Sequence, residues 1–256
     1  MDRRAYQTDI TDAQWDVVKP LLPHVERKRK HSLREILNAL FYHTRAGGAW
    51  RLLPHDFPPW ESVYGFFNRW SKDGTLAAIH DSLRERTRIE AGREPTPSAA
   101  IMDSQSVKTT EKRGPRGFDA GKRINGRKRH IVVDTIGLLL AVVVHAASLQ
   151  DRVAAPLVLS KLWGRFPRLQ VIWADAGYTG ELVYWCAYFG HWLLDIIRRC
   201  DKVKGFQLLP RRWIVERTFA WLNQYRRLSK DYEELTSSSE GMIYLAMIQV
   251  MVRRIG

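Results

Sequence analysis

Between Ser98 and Ala146 three apolar, β-branched runs follow one another closely: SAAIMDSQSV, then HIVVD and LLLAVVVHA joined by a turn at Thr135 to Gly137. Runs of this kind, bounded by turn residues, read as strands, and the last two as a β-hairpin. Beyond them the pattern alternates. A helix is predicted over Arg152 to Phe166 on Leu157, Leu162 and Trp163, a strand over LQVIWAD, a helix near Glu181 to Phe189, a strand over HWLLDIIRR and a last helix within PRRWIVERTFAWL. The order is therefore β-β-β-α-β-α-β-α, three antiparallel strands feeding into alternating α/β units.

The first 93 residues read differently, as short helices. Thr11 or Asp12 can cap a helix carrying Trp15 and Val18. Ser32 followed by Glu35 has the capping-box pattern ahead of Leu33, Ile36, Leu37, Leu40 and Phe41, and Gly47-Gly48 stops that helix. Pro58-Pro59 opens a third, with Trp60, Val63, Tyr64, Phe67 and Trp70 at helical spacing, and a fourth runs from about Thr75 to Arg88. GREPTPSA has linker composition. Two domains follow: a small helical one over 1–93 and an α/β one over 98–256. The helical part fits a helix-turn-helix unit with Arg69 and Lys72 on the polar side of its third helix, or a bundle that serves assembly.

Charge narrows the partner. The 256 residues carry 41 Lys and Arg against 27 Asp and Glu, a net charge of +14, which suits a polyanion whose counterions are released on binding. Nine of the basic residues (Lys108, Lys112, Arg113, Arg116, Lys122, Arg123, Arg127, Lys128 and Arg129) fall between Lys108 and Arg129 among four glycines and Pro115, and this stretch reads as a flexible loop holding DNA phosphates. No apolar segment reaches the roughly 18 to 20 residues that cross a bilayer, and MDRRAYQTD has no signal-peptide core, so a cytoplasmic location is expected. Cys186 and Cys200 lie outside any CxxC spacing, which sets aside zinc clusters and disulfide frameworks.

Three acids stand where a buried element meets an opening: Asp103 after SAAIM, Asp175 after VIWA, and Glu216 in the final helical stretch. Two strand carboxylates and one from a facing helix can collect hard divalent cations, which prefer oxygen ligands. On that helix Arg212 and Glu216 lie one turn apart on one face. Other polar residues have structural readings: Asp134 as a turn former before glycine, Asp151 as a helix N-cap, Asp195 as the partner of an arginine, and His130 and His145 as satisfied histidines of the hairpin.

The element order is that of a ribonuclease H-like fold, with its first and fourth strands side by side. On TDAQWDVVKPLLP, KHSLREILNALFYHTRAGGAWRLLPHDFPPWESVYGFFNRW, IMDSQSVKTT, GRKRHIVVDTIGLLL, WADAGYTG and PRRWIVERTFAWL, the chain resembles the DDE transposases of bacterial insertion sequences, in the group named after insertion sequence five. The resemblance implies a catalytic, metal-holding triad of Asp103, Asp175 and Glu216, with Arg212 at the arginine of the family's tyrosine-arginine-glutamate-lysine signature. Leu209 stands where that signature has tyrosine and Asn223 where it has lysine. It further implies two Mg²⁺ or Mn²⁺ ions roughly 3.5 to 4 Å apart, cleavage at terminal inverted repeats of double-stranded DNA, joining of the 3′-hydroxyl to target DNA, and a homodimer or larger assembly on paired ends in the bacterial nucleoid. A non-catalytic DNA-binding regulator of transposase descent and a metal-dependent nuclease on the same fold are the alternatives.

Overall fold

The computed structural model describes residues 3–23, 30–111, 114–197 and 211–255. They form two compact units, 94–221 and the combination of 1–93 with 222–256.

In the helical unit Thr11 caps α1 (Asp12–Val18) through a reciprocal box with Gln14. The box expected at Ser32, ahead of α2 (Leu33–Ala46), stays half-made. Ser32 accepts from the Arg34 amide, while Glu35 is taken by Arg3 at 2.9 Å and by Asn38 at 3.0 Å. Pro58 and Pro59 lead into α3 (Trp60–Lys72), which buries Val63, Phe67 and Trp70, and Gly74 at φ 81° turns the chain into α4 (Thr75–Glu90).

The second unit is built on a sheet. β1 (Ala99–Lys108) pairs antiparallel with β3 (Ile124–Asp134), which pairs antiparallel with β4 (Leu139–Ala146). Between β1 and β3 lies a short strand, β2 (Gly117–Asp119), inside the stretch expected to be a loop. It raises the predicted five strands to six, because Gly117 to Asp119 find ladder partners in Gly126 to Ile124. After α5 (Asp151–Leu159), β5 (Val171–Ala174) returns parallel to β1, and after α6 (Glu181–Trp185), β6 (Leu193–Ile196) adds parallel to β5. The strand order β2-β3-β1-β5-β6, with β4 on β3, is a mixed sheet of ribonuclease H-like architecture.

Strand alternation decides what each face carries. Ala100, Met102 and Val132 meet Ala155, Val158 and Leu159 of α5 in one buried cluster. On the hairpin between β3 and β4, α7 (Trp213–Asn223) is anchored by Thr218, whose hydroxyl donates to the Gly137 carbonyl at 2.8 Å, and by Arg217, which donates to the Ile136 carbonyl. Gly137 is at φ 86°, and a Cβ there would press on the Trp221 ring.

The C-terminal helix α8 (Thr236–Ile255) corrects the expected boundary. It groups with 1–93 and packs on α2, α3 and α4 instead of completing the α/β unit over 98–256. Met242, Ile243, Leu245, Ala246, Met247, Ile248, Met251 and Val252 are all buried. A helix apolar on so many sides needs surrounding helices, and the N-terminal ones supply them.

Candidate active site

β1 and β5 run in parallel register only as far as Ile101 opposite Trp173. Two residues further along the same register stand Asp103 and Asp175. β1 does not end at Asp103, as the sequence suggested; it continues along β3 to Lys108, so the carboxylate sits where β1 parts from β5. Asp175 is the first residue past β5 and caps the turn Ala176–Tyr178.

Each aspartate commits one oxygen to the backbone and turns the other to a shared cation. Asp103 Oδ1 accepts from the Ser104 amide at 2.7 Å, and Asp175 Oδ1 from the Gly177 amide at 2.8 Å. Arg212 Nη2 lies 3.7 Å from Asp103 Oδ2 and 3.6 Å from Asp175 Oδ2. Burial pushes the Asp103 carboxyl up to about 6, and Asp175 adds to the rise, against the Ser104 amide, Arg212 and Lys122. An acid held reluctantly ionised beside a second carboxylate is a place that calls for positive charge.

Arg212 immediately precedes α7, after Arg211, whose φ is 73° and whose guanidinium lies over the Trp173 ring at 4.3 Å. Arg212 Nε is buried with no acceptor among the described residues. Glu216, one turn on, is exposed. The structure thus brings Asp103 and Asp175 to one point and leaves Glu216 apart from it, since the described residues contain no group of three acids, histidines or cysteines close enough to hold a metal ion. The two free carboxylate oxygens nevertheless match the all-oxygen donor set of a hard divalent cation, whose positive charge Arg212 now supplies in part.

The basic run divides sharply. Lys108, Lys122 and Arg123 are exposed, and Lys122 Nζ donates to the Ser104 carbonyl at 3.2 Å, beside Asp103. Arg127, Lys128 and Arg129 are buried in β3, which corrects their expected place on a DNA-facing loop. Their heads are already used. Arg127 donates to the Pro115 carbonyl, Arg129 to Gln105, and Lys128 to the Leu149 carbonyl while pairing with Asp151 at 3.0 Å and Asp119 at 3.7 Å. Arg113 and Leu209 lie outside the described residues. Arg69 and Lys72 are exposed on α3, with the Arg69 guanidinium 4.9 Å from the Phe66 ring. Asn223 is exposed at the end of α7, and Arg227, four residues on, is buried against Glu233.

The sequence reading missed the polar network behind Asp103. Ser104 donates to Asp151 at 2.7 Å and Ser106 to Asp119 at 2.6 Å, with Lys128 between the two acids. Asp151 therefore serves as an ion-pair partner, while Gln150 takes the N-cap position of α5. The Tyr178 hydroxyl meets His130 Nε2 at 2.9 Å, tying the turn after Asp175 to β3, and burial holds His130 down to about 3 and therefore neutral. Ser104 and Ser106 alternate with Asp103 and Gln105 along β1, a period-two signal that could have shown two polar faces. Asp134 does form the hairpin turn, accepting from the Ile136 and Leu138 amides, and Asp195 accepts from Trp173 Nε1, where an arginine partner was expected.

Comparison with known proteins adds three matches. The family model described as "Transposase DDE domain" matches residues 94–251, more than half of the chain and parts of both units. The model "Putative transposase of IS4/5 family" matches residues 10–80. A curated relative, "Putative transposase for insertion sequence element IS402" of Burkholderia cepacia, is 32% identical over 129 residues, covering 48% of this chain and 60% of the relative.

Proposed function

The chain belongs to the family of the transposase DDE domain, and on that premise we propose that it is an insertion-sequence transposase of the IS4/5 group, which cuts DNA at the terminal inverted repeats of its element and joins the freed 3′-hydroxyls to target DNA. The observation that supports this best is the convergence of Asp103 and Asp175 on one cation at the parting of β1 and β5. In this reading Asp103 and Asp175 hold Mg²⁺ or Mn²⁺, with Glu216 of α7 as the third carboxylate. The bound ions, two per site, would activate the attacking oxygen and offset charge on the leaving one in an in-line displacement.

The chain's own groups do the rest. The carboxylates fix the place of the reacting phosphodiester, and Arg212 Nε, without an acceptor among the described residues, is a donor for a phosphate oxygen. Water is the nucleophile that releases the 3′-hydroxyl, and that hydroxyl is the nucleophile of the joining step, with no covalent protein intermediate. Lys108, Lys122 and Arg123 hold the strand beside Asp103, and Arg69 and Lys72 of α3 contact DNA in the helical unit. No helix of the described residues is long and apolar enough to cross a membrane. The proposed working state is a dimer or larger on paired ends, in the nucleoid.

The test is cleavage and joining of labelled DNA carrying the element's ends, with Mg²⁺ or Mn²⁺, by the intact chain and by Asp103→Ala. Metal-dependent 3′-hydroxyl release and joining, absent from the variant, are expected. Binding without cleavage under every metal condition refutes the proposal in favour of a regulator, and cleavage without joining in favour of a nuclease.

A further inference from the structure

The hairpin of β2 and β3 carries a feature that fold stability does not require. Phe118, the middle residue of β2, is 56% exposed. Its neighbour Asp119 turns inward to Ser106 and Lys128, so strand alternation sends Phe118 to the other face. Three other exposed aromatics of this unit, Trp163, Tyr188 and Phe189, join half-buried Trp185 in a chain of ring contacts, whereas Tyr184 stands exposed without a cation-lined groove among the described residues. Among the described residues Phe118 has no ring partner. It lies instead in a groove of about 770 Å³ with Lys108, Arg116 and Arg123, against one acid, Glu111.

The same alternation relates this groove to the active site. Phe118 pairs with Asn125, and Asp103 pairs with Ile131, six residues further along β3 and therefore on the same face of the sheet. At the rise of an antiparallel strand that separation is roughly 20 Å, or about six nucleotide steps of one DNA strand. The hairpin is also fixed in place. Asp119 Oδ1 accepts from the Lys122 amide at 3.1 Å, Lys122 Nζ donates to the Ser104 carbonyl, and Arg123 is held at φ 53°, a left-handed conformation that L residues seldom adopt.

An exposed ring set among cations is the arrangement that holds an unpaired nucleic-acid strand, the ring stacking on a base while the cations follow the backbone. We propose that Phe118 is the stacking platform for an unpaired base of the DNA strand leading to the active site, with Lys108, Arg116 and Arg123 on its phosphates. The inference rests on the reading that the chain acts on DNA, and it adds a site for a strand that has left the duplex. Phe118 is a binding residue here, remote from the reacting atoms.

The experiment compares a duplex bearing a short single-stranded tail, with 2-aminopurine in the tail, against the same duplex blunt. The intact chain should prefer the tailed DNA by roughly tenfold and change the 2-aminopurine fluorescence on binding. Phe118→Ala should abolish both effects while keeping the melting temperature and the salt dependence of binding; Phe118→Trp should keep both effects. Arg116→Gln and Arg123→Gln should each lower the salt slope by about one. A Phe118→Ala protein that still prefers the tailed DNA and still changes the fluorescence overturns the inference. So does a loss of preference that Phe118→Trp shares. If the intact chain binds the blunt duplex but shows no preference for the tail, this inference fails and the wider reading stands. If it binds neither DNA at low salt, both fail.

Discussion

Lys128→Met separates the two places this lysine could have in the molecule, inside the sheet or on DNA. Its side chain is 6% exposed, and its ammonium faces Asp151 at 3.0 Å and Asp119 at 3.7 Å. Removing one partner of a buried ionic group leaves the others uncompensated, at a cost of about 3 to 5 kcal/mol. Asp151, at 29% exposure, keeps some solvent, which places the expected loss near the lower end, about 3 kcal/mol at neutral pH. The pH dependence carries the signature. Burial pushes both carboxyls up, but hydrogen bonds from Ser106 and the Lys122 amide to Asp119, and from Ser104 and Lys128 to Asp151, outweigh it, so both lie below the usual aspartate value. A depressed folded value gives stability above the unfolded value near 3.9 and loses it as pH falls through the folded one. The gap between intact chain and variant should therefore be full well above the unfolded aspartate value and shrink as pH falls below it through the lowered folded values. Urea unfolding across that range reads it. A loss below about 0.5 kcal/mol at pH 7, within the range of an ordinary surface substitution, would refute the reasoning. So would a loss that is the same in acid, or a variant whose DNA affinity has a flatter salt dependence.

Two further outcomes follow from buried groups. His43 and His130 are both held down to about 3, by burial first, then by Arg227 for His43 and by His145 for His130. Because their folded values lie below the unfolded one near 6.5, their neutral forms stabilise the fold fully above that pH. Stability should fall below it by up to about 1.4 kcal/mol per pH unit for each histidine. His43→Gln should flatten this acid slope in urea unfolding, and an unchanged slope would remove His43 from the account. Gly126→Ala would place a Cβ on the Val107 carbonyl at the β1–β3 pairing. A loss of about 1 to 3 kcal/mol is expected, visible as a lower melting temperature, and an unchanged one would show that the strands can part without cost.

Much of the fold could be read from residues whose setting is local. The β-branched runs gave the long strands, Asp134 before Gly137 gave the hairpin, and the element order of a ribonuclease H-like fold put the strands of Asp103 and Asp175 side by side. What stayed hidden depends on distant partners. Lys128 looks like any member of a basic run until Asp151 and Asp119 are brought to it from 23 and 9 residues away in the chain. β2 was invisible because three residues with glycine at their head have no strand period of their own; only the ladder to Gly126 makes them a strand. The sequence reading has no helix at α8, and chain order alone puts its residues in the 98–256 domain, whereas its nearly continuous apolar surface needed the groove of α2, α3 and α4.

The alternation of β1 ties these observations to the chemistry. Met102, Ser104 and Ser106 point to the face where α5, Asp151, Asp119 and Lys128 lie, while Asp103 and Gln105 point to the other. A slip of one residue would turn Asp103 into the core and expose Ser104, so the register of β1 is the register of the active site. The buried lysine and its two acids oppose that slip, because Ser104 and Ser106 find their acceptors in only one register. A charge cluster that is costly to bury is thus placed where it fixes the position of one catalytic candidate. The Tyr178–His130 bond does the same for Asp175, by holding the turn that follows it to the strand beside β1. Both aspartates are positioned from behind by groups that never reach the open face, which leaves that face to Arg212 and to the cation and DNA proposed above.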